Sequence, residues 1–252
     1  MEASANTFLH SIGSGRAQIG IWANLTDPVT AEICAGAGFD WMLIDGEHAP
    51  NDVRTILALL QAVQPYPTAP IVRPAIGDPA LLKQLLDIGA RTLLVPMVDT
   101  VDQAEAIARA VCYPPVGVRG VAGQTRAGRW GRREHYLENA RDEICLIVQI
   151  ETVTGLANAD AIAAVDGIDA VFVGPADLAA SLGHLGRPAH PDVQDAVRRV
   201  REAAEGARKP VGILTLDEEL AHRYLDGGFS FVGVGIDTHQ LVNALSGLRG
   251  RF

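Results

Sequence analysis

The 252-residue chain carries 21 Lys+Arg against 30 Asp+Glu, a net charge of −9, with 48% hydrophobic and 20% charged residues. That balance belongs to a folded globular protein rather than a disordered one, and the acidic excess argues against a sequence-blind nucleic-acid binder. No apolar run approaches the roughly 18 residues of a membrane span, and Met1 to Arg16 lacks the apolar region of a signal peptide.

Apolar runs of β type recur along the whole chain: Ala17–Ala23, Phe39–Ile44, Pro70–Arg73, Thr92–Met97, Ile144–Ile150, Ala170–Gly174, Val211–Leu214 and Phe229–Val234. Most are continuous rather than alternating, as expected of parallel strands buried on both faces. Helical stretches separate them. Asp27-Pro28 and Asp78-Pro79 each pair a cap with a proline at the first helical position. Thr100 with Gln103 fits a capping box, and Asp217 can cap a later helix. Gly36, Gly38, Gly89, Gly227 and Gly228 mark helix ends just before strands. Strand and helix alternating eight times in this length predicts an α/β protein, one (β/α)₈ TIM barrel over 1–252. A doubly wound open sheet is the alternative, but no glycine-rich nucleotide fingerprint follows the first strand. The long segment Cys112–Glu143 breaks the repeat, with arginines at 119, 126, 129, 132 and 133. The last helix, Asp237–Leu248, shows one apolar side made by Leu241, Leu245 and Leu248, for its own barrel or a neighbour's.

In such a barrel the chemistry sits at the carboxyl ends of the strands. There the sequence places Asp45-Gly46-Glu47-His48, Arg73-Pro74, Gln149-Ile150-Glu151 and Gly174-Pro175-Ala176-Asp177. Glu151 and Asp177, from adjacent strands, suit a hard divalent cation; the plainer alternative is two acids facing helix dipoles. His48 could be a general base near neutral pH, or a loop histidine bonded to backbone. Arg73 needs an anionic partner, either substrate or one of Asp45 and Glu47. The other six histidines lie off the strand ends, His10 in an N-terminus expected to be flexible. Asp87 follows Lys83 by four residues on a helix, and spacing alone favours a surface ion pair. Only two lysines occur, Lys83 and Lys209, and neither ends a strand. Schiff-base chemistry is therefore disfavoured. Three widely spaced cysteines, Cys34, Cys112 and Cys145, form no disulfide framework or zinc pattern and fit a cytoplasmic protein.

The stretch Asp40-Trp41-Met42-Leu43-Ile44-Asp45-Gly46-Glu47-His48-Ala49-Pro50 resembles the signature of the HpcH/HpaI aldolases. These are metal-dependent class II pyruvate aldolases, among them 4-hydroxy-2-oxoheptanedioate and 2-dehydro-3-deoxyglucarate aldolases. The resemblance continues through Val72-Arg73-Pro74, Thr92 to Val98, Tyr113-Pro114-Pro115, Gly117-Val118-Arg119-Gly120, Gln149-Ile150-Glu151 and Gly174 to Leu178. It implies reversible cleavage of a 4-hydroxy-2-oxo acid to pyruvate and an aldehyde through a metal-bound pyruvate enolate. It implies a divalent metal (Mg²⁺, Mn²⁺ or Co²⁺) held by Glu151 and Asp177, with His48 as a base working through water. It implies that Asp45 and Asp87 tune that histidine and that Arg73 contacts the pyruvate keto oxygen. Gln149 would lie near metal and substrate, and backbone amides around Gly174, Pro175 and Ala176 would hold the pyruvate carboxylate. A homohexamer with an exchanged last helix is implied as well. The sequence departs from the family pattern in Ala122–Arg133 and at Thr215, toward the expected aldehyde end. Two other readings are an acyl-CoA ester lyase of the citrate lyase β-subunit type and a non-catalytic barrel; Asp45-Gly46-Glu47-His48 favours the free-acid aldolases.

Overall fold

The computed structural model describes residues 6–252. The residues Met1 to Ala5, part of the segment expected to lack a signal peptide, lie outside the described residues. Among the described residues eight parallel strands close into a barrel in chain order: β1 (Gln18–Ala23), β2 (Trp41–Asp45), β3 (Ala69–Arg73), β4 (Thr92–Val95), β5 (Cys145–Ile150), β6 (Ala170–Val173), β7 (Val211–Leu214) and β8 (Phe231–Ile236). The expected (β/α)₈ architecture is present, and the expected strands differ from these by at most two residues at either end.

Local chemistry starts the helices. Asp27 accepts from Val29 and Thr30 amides, and Asp78 from Ala80 and Leu81 amides, each ahead of a proline. Thr100 and Gln103 form the reciprocal capping box, and Asp217 caps the helix Glu218–Asp226. Each cap satisfies amides the first turn leaves without a partner.

The strand period of two then sorts the side chains. On β2, Met42 and Ile44 pack outward against the helices, while Trp41 and Leu43 fill the barrel. On β3, Val72 packs outward and Ile71 inward; on β5, Leu146 and Val148 outward and Cys145 and Ile147 inward. The inner column is aromatic: Trp22, Trp41, Phe172 and Phe231 interlock at centroid distances of 5.5–6.0 Å. Glycine makes that possible at Gly20, where an added Cβ would lie 2.1 Å from the Trp41 ring.

The N-terminal residues that sequence reading expects to be flexible instead form the helix Thr7–Ile12, with His10 on its exposed side. Phe8 enters the amino end of the barrel, 5.3 Å from the Phe231 ring centroid. Asn6 caps this helix and donates to Arg91 O, Thr92 Oγ1 and Glu143 O, each at 3.1 Å. The period signal was too short to read in six residues; burial of Phe8 and Ile12 supplies the stability that propensity does not. The last helix, Asp237–Arg249, is anchored by the buried Asp237, whose carboxylate accepts from the Asn24 and Leu25 amides. From Gln240 to Phe252 every residue is exposed, so its apolar side does not pack on its own barrel.

Candidate active site

The inward parity of the strands continues past the apolar column and ends in polar groups. Asp45 follows Trp41 and Leu43; Arg73 follows Ala69 and Ile71; Gln149 and then Glu151 follow Cys145 and Ile147. All four are less than 7% exposed. Asp45 and Arg73 are register partners across β2 and β3. Their side chains form a bidentate pair, Nε to Oδ1 at 2.9 Å and NH2 to Oδ2 at 2.7 Å. Arg73 NH1 lies 2.9 Å from Glu47, so both acids that sequence allows as its partner are used. The guanidinium also sits 5.5 Å from the Trp22 ring centroid. A charge this deep is tolerable only with its counter-charges in place.

Asp45 has a second task. Its Oδ1 accepts from the amides of Glu47 (3.0 Å) and His48 (3.4 Å), and Asn51 Nδ2 donates to its carbonyl at 2.7 Å. It therefore shapes the turn that carries His48, rather than bonding the imidazole. The His48 ring is 61% exposed and its Nε2 stands 3.8 Å from Glu47.

Glu151 is 2% exposed. Its Oε1 accepts from the Met97 amide at 2.7 Å, and its Oε2 from Gln149 Nε2. Met97 holds a left-handed backbone, φ 56°, to aim that amide. Burial, with repulsion from Glu47 and Asp177, raises the Glu151 pKa from 4.5 to about 7, against the Met97 bond and Arg73. Glu47 is also raised, by burial first, with Arg73 and His48 opposing. Asp177, exposed, lies in the first turn of the helix Pro175–Ser181, whose N-cap Gly174 provides no side-chain cap. The first amides are thus left to other acceptors. Only glycine fits there: a Cβ on Gly174 would lie 2.3 Å from Glu151 Oε2 and 2.6 Å from Gln149 Nε2. Gly174→Ala is expected to displace Glu151 and weaken Mn²⁺ binding at least about tenfold, with little change in far-UV circular dichroism; unchanged affinity by titration calorimetry would contradict this packing.

The donor set fits a hard divalent cation. Glu151, Asp177 and Glu47 repel one another, and Gln149 Oε1 is buried without a hydrogen-bond partner. A cation would answer both. A separate trio, His184, His190 and Asp192, brings ligand atoms within 4.8 Å of one another. There His190 Nδ1 accepts the Asp192 amide as the cap of the helix Pro191–Gly206, and His184 Nε2 bonds Asp192 at 2.9 Å.

Asp87 and the Ala122–Arg133 segment stand elsewhere than their motifs suggest, while Lys209 lies off the strand ends as expected. Asp87 ends the helix Pro79–Asp87, which runs back toward the strands' amino ends, and bonds the buried Arg119 at 2.8 Å rather than Lys83. Within one protomer it is not part of the His48 cluster. The Ala122–Arg133 segment likewise lies at the amino-end face of its own barrel, where Arg126 bonds Ile88 O and Arg133 pairs with Glu143. Lys209 donates to Val165 O at 2.6 Å, away from the carboxylates. Sequence reading left Glu47 without a role of its own, although it sits inside the Asp45–His48 motif; the Met97 amide has no sequence signal.

The model of the HpcH/HpaI aldolase/citrate lyase family matches residues 18–244. The chain is 56% identical to the hydroxypyruvate/pyruvate aldolase of Pseudomonas aeruginosa, over 100% of this chain and 94% of that protein. It is 53% identical to the 4-hydroxy-2-oxovalerate aldolase of Rhodococcus jostii (strain RHA1), over 100% and 98%. A crystal structure of an HpcH/HpaI aldolase/citrate lyase family protein from Burkholderia cenocepacia J2315 superposes with a TM-score of 0.95 at 40% identity, covering 98% of this chain and 99% of that one. With the barrel and its polar strand ends as described, the chain belongs to the HpcH/HpaI aldolase/citrate lyase family.

Proposed function

We propose that the protein is a divalent-metal-dependent class II aldolase that reversibly cleaves a 4-hydroxy-2-oxo acid to pyruvate and a small aldehyde. The observation that carries this reading is the convergence of Glu151, Asp177, Glu47, Arg73 and His48 on one barrel mouth. The names of the relatives at 53–56% identity agree with it. Glu151 and Asp177 would hold Mg²⁺, Mn²⁺ or Co²⁺, which supplies Lewis acidity toward the 2-oxo and carboxylate oxygens when bound.

The chain's own groups do the rest. His48, working through water, takes the proton of the 4-hydroxyl, the C3–C4 bond breaks to give the aldehyde and the enolate of pyruvate, and the proton held by His48 returns through water to C3. Arg73 keeps N–H donors beyond those used by Asp45 and Glu47, and these stabilise the enolate oxygen as charge develops. The open amides of Ala176 and Asp177, just past Gly174 and Pro175, receive the carboxylate, with Gln149 beside them. The test is direct: pyruvate or hydroxypyruvate with a panel of aldehydes and Mn²⁺, read by product mass. Absence of any aldol product, or a borohydride-trapped adduct on Lys83 or Lys209, overturns the reading.

Asp87 can serve a His48 only across a subunit contact, so its assignment goes with the proposed homohexamer. Leu241, Val242, Leu245, Leu248 and Phe252 on the last helix and its end are 46–93% exposed, as are Val29 and Ile33 on the helix Pro28–Gly36 at 61% and 68%. Such surfaces call for a second copy, and exchange of the last helix supplies one. Asp87→Asn is expected to shift the pH profile of cleavage while Asn still accepts from Arg119; Lys83→Ala leaves the profile in place. Equal profiles for both variants in a confirmed hexamer remove Asp87 from the chemistry. No helix among the described residues is long and apolar enough to cross a membrane, and the three cysteines are free thiols; both accord with the cytoplasmic location we propose.

A further inference from the structure

The starts of β3, β4 and β5 and the segment Cys112–Glu143 enclose a cavity of about 530 Å³ at the amino-end face of the barrel, opposite Glu151 and Asp177. That is the size of small-molecule sites, about 300–1,000 Å³. Its charge sets it apart from the surrounding acidic protein. Arg91, Arg126, Arg129 and Arg133 line it, and Glu143 is the single acid among its described lining residues.

Glu143 is already engaged. Arg133 reaches both of its oxygens, with the two side chains only 7% and 9% exposed. Arg126 is positioned by neutral acceptors alone, Ile88 O at 2.8 Å and Gln64 Oε1 at 3.0 Å. Arg129 has no acidic partner among the described residues. Burial first, and then repulsion from Arg129 and Arg91, lowers the pKa of Arg126. Its charge is thus under-compensated where it stands. The wall between these groups is aromatic, from Tyr66, Trp130 and Tyr136. Arg129 and Trp130 hold left-handed backbone, φ 51° and 54°, before Gly131 at 79°. Side chains rarely accept that conformation, and its retention at a cavity wall is typical of ligand clamps.

We propose that this cavity binds a small, multiply charged oxyanion, a polycarboxylate or a phosphorylated metabolite, through Arg126 and Arg129. Planar guanidinium groups match carboxylate and phosphate oxygens in bidentate fashion, and that of Arg126 is held in advance by Ile88 O and Gln64. The cavity opens at the amino-end face, away from the Glu151 and Asp177 of its own barrel. The inference is independent of the aldolase reading, because it is tested by binding alone.

The probes are pyrophosphate and tricarballylate, each titrated calorimetrically into metal-free, full-length protein. At least one is expected to bind saturably, once per subunit, with affinity falling steeply as salt rises. Arg129→Ala and Arg126→Gln should each weaken binding about tenfold, and Arg73→Ala should leave it in place. The probe that binds tells phosphate from carboxylate chemistry. Arg129 is exposed, so its replacement should leave the melting temperature within a degree or two of wild type, and it carries the test alone if Arg126→Gln fails to fold. The proposal is overturned if neither probe binds, or if binding survives the cavity variants and is lost in Arg73→Ala. A change in sedimentation without any change in binding would instead make the arginines a subunit contact.

Discussion

Glu151→Gln is expected to lower kcat/KM by about 10³-fold or more and, in metal-free protein above pH 7, to raise thermal stability. The first effect follows from removing a charged ligand, since Lewis-acid stabilisation of developing oxyanions is worth several kcal/mol and each 1.36 kcal/mol is about tenfold. EDTA treatment of the wild type should produce the same loss, restored by Mn²⁺ in the wild type and not in the variant. The second effect has a sign set by the pKa. Burial raises Glu151 from 4.5 to about 7 in the folded state. Its favourable contribution is complete below pH 4.5 and disappears as pH rises through 7, because the fold then holds a carboxylate it solvates poorly. Glutamine's carbonyl oxygen still accepts from the Met97 amide, and its NH2 can donate to Gln149 Oε1 once that amide turns over, without the charge. Metal-free variant and wild type should therefore melt alike near pH 4, and the variant should be more stable by about 2–3 kcal/mol at pH 8. Calorimetric scans at the two pH values check this; a variant less stable at pH 8 would show that the carboxylate is well solvated or paired.

His48→Ala should lose about 10² to 10⁴-fold in kcat, the usual contribution of a general base, while retaining Mn²⁺ and pyruvate binding. The loss is separable from folding because the ring is 61% exposed and its nearest charged neighbour is 3.8 Å away. The backbone turn that carries it is held by Asp45, which the substitution leaves untouched. Stability should change by no more than about 0.5 kcal/mol. Titration of Mn²⁺ into the variant is the decisive measurement: if metal affinity falls in step with activity, His48 is a ligand rather than a base.

Much of this candidate site's geometry is legible in the sequence. Continuous apolar runs identify strands buried on both faces, and reading the carboxyl end of each run finds Arg73 as the last residue of its run, Asp45 and Glu151 one residue past theirs, and Asp177 three residues past, in the first turn of the next helix; for the first three, the period of two carries the inward face into the polar layer. Caps were legible for the same reason: Asp27, Asp78, Thr100 and Asp217 act within three residues of themselves. Interactions set by closure of the chain were not legible. Asp87 pairs with Arg119, 32 positions away, and local spacing offered Lys83 instead. The long arginine segment carries no period that says which end of a barrel it covers; its docking on Ile88, Gln64 and Glu143 decides that. The HpcH/HpaI motif could name a role for Asp87 but not the distance from its own His48.

The plug at the amino end has a consequence for how the chain is made. Phe8 rests on Phe231, and Asn6 bonds the Glu143 carbonyl 137 positions downstream. The first helix is synthesised early, yet its seat is built from the last strand. Until Phe231 is made, Phe8 has only the Trp41 ring, 6.2 Å away, of its aromatic seat, and a stalled chain ending before Phe231 would leave it open to chaperones and proteases. Emergence of β8, rather than of the first helix, is then the moment at which the barrel's floor closes, so contacts of the longest range arrive last.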